Sequence, residues 1–207
     1  MRSTDLLERV FPGRRGELKR AILRQALLSF NAQGIEATTI ETIRSECGAS
    51  VGAVYHHFQS KEGVVAALFF AALDDQERLR EEYLRSAASA EQGIHALVHS
   101  YVDWVEEQPE WARFLLQARS VVSTGPLKKE LATRNKQLNK KLNAWMSSLS
   151  GMEALLHIPA ELLPSLIIGP SESYSRAWLS NRVRKSPKQY REMLAKAAWS
   201  SVKMEIL

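Results

Sequence analysis

Three helix-capping residues punctuate the stretch "TTIETIRSECGASVGAVYHHFQSKE": Thr39, Ser50 and Ser60, with Gly48 just ahead of the second. A hydroxyl oxygen at each can accept an otherwise orphaned N–H of the helical turn that follows. Gly48 can end a helix in the left-handed conformation without a Cβ penalty. This spacing predicts two short helices, "IETIRSEC" and "VGAVYHHF", joined by a tight turn, and a longer helix starting at Lys61. No sheet accommodates three helix starts so close together.

The rest of the chain keeps the helical period. Leu23, Ala26, Leu27 and Phe30 fall at i, i+3, i+4 and i+7, with Gly34 as the stop. "SAASAEQG" reads as a connector, followed by a stripe of Ile94, Leu97, Val98, Tyr101 and Val105. Pro109 opens the next helix, and Gly125-Pro126 separates it from an amphipathic segment carrying Leu127, Leu131, Leu138, Leu142, Trp145 and Leu149. Pro164 and Gly169-Pro170 should divide the helical run 159–180, and Ser186-Pro187 should cap the last helix. The expected fold is all-α, with about nine helices and no strand.

Composition narrows the class. With 45% hydrophobic and 25% charged residues, the chain of 207 residues can bury a core, and disorder is not the default. The longest apolar run, "GVVAALFFAAL", is too short to span a bilayer, and the N-terminus carries acids early and lacks the apolar stretch of a signal peptide. Cys47 is the single cysteine, so no internal disulfide forms, which suits a reducing cytoplasm. The net charge of +5 is uneven: +2 over residues 1–62, −5 over 63–125 and +8 over 126–207. A basic protein is compatible with nucleic-acid binding, but most of the excess lies far from the capped stretch. No Ser-His-Asp set, phosphate-cradling glycine loop or paired carboxylates occur at interpretable spacing, so an enzyme is not expected.

Two short helices around Gly48-Ala49-Ser50 form a helix-turn-helix pattern. The second helix opens on the small side chains Val51, Gly52 and Ala53, which let its N-terminus approach a groove floor, the geometry by which such helices read the major groove. Tyr55, His56, His57 and Lys61 supply donors near phosphates, while Val54 and Phe58 form the hydrophobic underside. "TTIETIRSECGASVGAVYHHFQSKEGVVAAL", with "AILRQALLSFNAQGIEATT" before it, resembles the DNA-binding segment of the tetracycline-repressor (TetR) family over about residues 18–70. The resemblance implies phosphate contacts from Thr39, Tyr55, His57 and Lys61, and base-edge contacts from Ser50, Val51, Gly52, Ala53 and His56. It implies a helix-turn-helix domain over residues 1–60, with the motif at about 39–58, and a helical regulatory and dimerisation domain over 61–207. The function implied is a dimeric repressor released from a near-palindromic duplex by a small molecule.

Two departures stand out. Arg44 occupies a place where the family usually has Ala, so it must reach outward or find an acid such as Glu41 or Glu62. The recognition helix lacks Arg, Lys, Gln and Asn, so specificity must lean on thymine methyls, His56 and DNA shape. A dimeric scaffold with a vestigial motif is the rival reading, separated by salt-dependent duplex binding.

Other residues admit plain readings. His95 and His99, four apart with Asp103 beyond, have metal-ligand spacing but fit a polar flank, and no metal or other cofactor is expected. His56 and His57 point about 100° apart on a helix and make a poor metal pair. Cys47 fits a small core position. The basic face Lys128, Lys129, Arg134, Lys136, Lys140 and Lys141 fits a solvated surface. Tyr101, Trp104, Trp111, Phe114 and Trp145 are core aromatics or, as a group, the lining of a site for an apolar or cationic effector. Leu162, Leu163, Leu166 and Ile167, with Tyr190, Leu194, Ala197 and Ser201, are candidates for a four-helix dimer seam.

Overall fold

The computed structural model describes residues 5–125, 127–146, 150, 158–159 and 161–203; Pro126 and Leu149, assigned above to a break and an apolar stripe, lie outside them. The described residues form eleven α-helices and no named strand; a single parallel bridge pairs Ser89 with Ser150. In order they are α1 (Leu6–Val10), α2 (Glu17–Gln33), α3 (Ile40–Cys47), α4 (Val51–Phe58), α5 (Lys61–Leu84) and α6 (Ala90–Glu107). Then come α7 (Pro109–Thr124), α8 (Lys128–Met146), α9 (Leu163–Ile167), α10 (Gly169–Leu179) and α11 (Arg191–Val202).

Most boundaries follow the local signals. Thr39 Oγ1 accepts from Thr42 N at 3.1 Å, Ser50 Oγ from Ala53 N at 3.1 Å, and Ser60 Oγ from Gly63 N at 3.2 Å. Gly48 sits at φ 67°, ψ 15°, and its N–H bonds back to Arg44 O, the left-handed stop that its lack of a Cβ permits. The proline-rich run divides at Ile168, between α9 and α10. Two details differ from expectation. Asp5 caps the five-residue α1, which buries Leu6 and Leu7 and had no periodic signal behind it. Ser186 makes no side-chain cap; Pro187–Tyr190 form a 3₁₀ turn before α11.

The chain separates into two compact units. The first holds the residues up to Asp75 together with Glu110–Leu131; the second holds Gln76–Pro109 and the chain from Ala132 onward. The packing boundary between the units falls inside α5, and α7 packs with the helix-turn-helix. The early turns of α5 bury Val64, Val65, Leu68 and Phe69, so they belong to the first core.

In the first unit, α2 packs on α3 and α3 on α4. Ile22, Leu23, Ala26, Phe30 and Ile43 are fully enclosed, and Phe30 stacks on Phe114 at 5.8 Å. Each of the larger of these side chains contributes about 1.5–3 kcal/mol by leaving water. In the second unit α6 packs mainly against α11, with α9 and α10 alongside. Val98, Val102, Ala195, Ala198 and Val202 are its enclosed centre. Ile167 is also only 4% exposed in this core, so of the four α9-side residues expected at a dimer seam it is committed inside the chain.

Candidate nucleic-acid interface

Helix α4 is fixed from three sides. Ser50 caps its start, Val54 and Phe58 anchor its underside at 1% and 8% exposure, and Gln59 ends it at φ 65° with its N–H on Tyr55 O. That leaves Val51, Gly52, Tyr55 and His56 on the exposed face, with Ala53 and His57 half-buried at its sides. A Cβ on Gly52 would meet nothing nearer than Ser50 Oγ at 3.9 Å, so the fold does not demand glycine there. Gly63 is the opposite case. Its Cβ would lie 1.8 Å from Phe58 O, so α5 leaves α4 by an approach only glycine allows.

A cleft of about 430 Å³ opens beside this face, lined by Thr38, Thr39, Ile40, Glu41, Val51, Tyr55 and Lys61. It brings together three of the four residues expected at phosphates, and the fourth, His57, is placed beside its neighbour His56 with ring centroids 5.2 Å apart. The His57 imidazole is held below its ordinary pKa, first by burial, then by the charges of Lys19 and His56. Lys19, on the first turn of α2, was missed by the sequence reading; only its position in a basic first turn marked it.

Lys61 differs from expectation. Its Nζ donates to Ile35 O at 2.9 Å, Glu36 O at 3.1 Å and Thr38 O at 3.1 Å. An ammonium has three donors, and all three go to the loop before α3. Its task in this structure is to hold that loop, while its charge still biases the cleft. Arg44 finds Glu41: Nε donates to Oε2 at 2.7 Å and Nη2 to Oε1. Cys47 is half-exposed rather than a core residue.

The five aromatics do not share one compact unit. Trp111 and Phe114 lie in the core of the first, at 6% and 0% exposure, while Tyr101, Trp104 and Trp145 belong to the second. Trp104 is fully enclosed, and half-buried Tyr101 and Trp145 pack against the second core. A separate polar cavity of about 280 Å³ is lined by Tyr83, Ser86, Ala87, Gln92, His95, Ala96 and His99. Asp103 is engaged by other partners, with both of its hydrogen bonds on Oδ2. Its carboxylate accepts from Tyr83 Oη at 2.6 Å and from Arg191, with Lys188 Nζ at 3.8 Å. Burial first, then that bond to Asp103, pushes the Tyr83 phenol up to about 12. Among the described residues no three His, Cys, Asp or Glu side chains are grouped to hold a metal ion, and no helix is long and apolar enough to cross a membrane.

Residues 22–68, which contain α3, α4 and the cleft, match the family described as bacterial regulatory proteins, tetR family. Residues 22–68 are thus a tetR-family segment. The HTH-type transcriptional repressor KstR2 of Rhodococcus jostii is 36% identical over 86 residues, 42% of this chain and 40% of the relative. The matched segments cover less than two thirds of the curated relatives' own length. The TetR fold extends over nearly the whole chain. A TetR family regulator from Marinobacter aquaeolei superposes with a TM-score of 0.74 at 20% identity, covering 90% of this chain and 96% of the other. The ketosteroid transcriptional regulator KstR2 of Mycobacterium tuberculosis gives 0.70 at 22% identity, covering 94% and 97%.

Proposed function

We propose that this chain is a cytoplasmic, sequence-specific regulator of transcription of the TetR family, and a repressor in sign. The observation that carries this is the capped α4, whose small-residue N-terminus and exposed Val51, Tyr55 and His56 stand beside a cleft holding Thr39. Val51, Gly52, Ala53 and His56 meet base edges, with Ser50 at the helix start. Thr39, Tyr55 and His57 meet phosphates, and Lys61 acts through the loop it holds. Two copies related by a twofold axis read a near-palindromic duplex.

The regulating ligand is an apolar small molecule held in the second unit, against Tyr101 and Trp145. The relative named for ketosteroid regulation supports that class. A cationic effector loses its motive, because several acids of the 63–125 segment are already matched: Asp75 by Arg9, Glu77 and Glu81 by Lys141, Asp103 by Arg191. Release follows if the ligand favours a state in which the unbroken α5 shifts the first unit; a coupling of about 1–3 kcal/mol would weaken DNA binding about 5- to 150-fold.

Selection of duplexes from a random pool, followed by anisotropy titration over a range of salt, tests the core of this reading. Enriched near-palindromes whose log affinity falls linearly with log salt are expected. Binding of every sequence alike, or of none at low salt, would remove it.

A further inference from the structure

Glu41 is out of place in a cleft meant for a phosphate. Its carboxylate is 63% exposed and lines the same opening as Thr39, Tyr55 and Lys61. Left alone, it would repel an incoming phosphate at the spot where the hydroxyls are ready to receive one. The partner that answers it is on the same helix. Arg44, three residues on, covers both carboxylate oxygens with Nε and Nη2 in the side-by-side geometry that a guanidinium fork makes with a carboxylate. The pair is exposed, so it adds little to the stability of α3. Its electrostatic consequence at the cleft is larger than its worth to the fold.

We infer that Arg44 is a positioning residue for DNA: by pairing with Glu41 it cancels the one acidic charge lining the cleft, so that a phosphate can seat against Thr39 and Tyr55. The inference rests on the DNA-binding reading above. It also explains why an arginine is tolerated in the helix-turn-helix, since it points to an acid on its own helix and not into the core. The role is indirect: the effect of Arg44 must run through Glu41.

The test is a double-mutant cycle on the full chain, using the duplex selected for the wild type. Arg44→Gln should weaken binding about fourfold for each half-site, the size expected for an uncancelled, water-screened charge about 5 Å from a phosphate. Glu41→Gln should match or exceed wild-type affinity. Without Glu41 to hold it, Arg44 turns to solvent, where its charge is screened, so adding Arg44→Gln to Glu41→Gln should then cost almost nothing. The loss in the single Arg44→Gln variant should shrink as salt rises, because screened charges act weakly, and all three variants should keep wild-type helicity and thermal midpoint within a few degrees. An equal loss from Arg44→Gln in both backgrounds would mean that Arg44 touches DNA itself and overturns the inference, as would no loss in either. Failure of the wild type to bind any duplex would instead sink the DNA-binding reading, so the two failures are distinct.

Discussion

Lys61 and two glycines show how much one position can decide. The three hydrogen bonds from Lys61 Nζ tie the start of α5 to the carbonyls of residues 35, 36 and 38. Lys61→Met keeps the stem and removes those donors, and should cost about 2 kcal/mol in chemical denaturation, since bonds to a charged donor exceed ordinary ones. It should also weaken binding to every duplex, because Thr39 sits next to the loop that is released. An unchanged denaturation midpoint would show the loop holds without it. Gly63→Ala forces a methyl to within 1.8 Å of the Phe58 carbonyl and should destabilise by about 2 kcal/mol or more, read as a lower thermal midpoint. Gly52→Ala should behave the other way. The site has room, and alanine favours a helix by about 0.5–1 kcal/mol, so the fold should hold or stiffen. Duplex affinity should still fall, because the added methyl sits where α4 meets the groove floor. Loss of the fold in that variant would contradict the open geometry.

At the scale of elements, α6 and α11 form the main contact of the second unit, and His99 lies at that seam. Its Nε2 is 3.3 Å from Glu192 Oε1, and its pKa is held below 6.5, foremost by burial. Glu192 and Asp103 pull upward, while Arg191 and His95 add to the lowering. The native state therefore favours the neutral ring. In the unfolded chain His99 takes a proton as pH falls through 6.5, and the folded chain resists it. Stability is thus full above that value and declines as pH drops from about 7 towards 5. A thermal-midpoint series over this range should show the decline, and His99→Gln should flatten it. His57 shifts in the same direction and contributes to the same slope, so the His57→Gln variant is the companion measurement.

At the scale of the molecule, dimerisation remains our proposal and now has a narrower surface. Ile167 is spent on the core, but Leu162 is 45% exposed and Met193 68%, with Ala197 also exposed on α11. Large apolar side chains left in water beside a small residue suit close approach of a second copy. Ala197→Arg should convert the dimer to monomer by light scattering and lower duplex affinity, because one half-site is then read at a time. An intact dimer would move the seam to another face.

What the sequence determined by itself were the features whose causes are local. A cap works across three residues, a left-handed stop at one, and a core stripe within two turns. Thr39, Gly48, Ser50, Ser60 and the Leu23–Phe30 stripe were therefore legible, and with them the helix-turn-helix and its tetR-like segment. Arg44 was legible as a departure, with Glu41 already among its possible partners. Only the tertiary structure decided which distant groups meet. Lys61 is tied to the loop before α3 because carbonyls 23 to 26 residues away fold over it. Asp103 gained an ion pair with Arg191, 88 residues on, that no local signal announced. Trp111 and Phe114 went to the first core because α7 returns there after α6. Hydrogen bonds of short span are written in residue order, whereas a side chain's competing long-range partners are set only by how the helices pack.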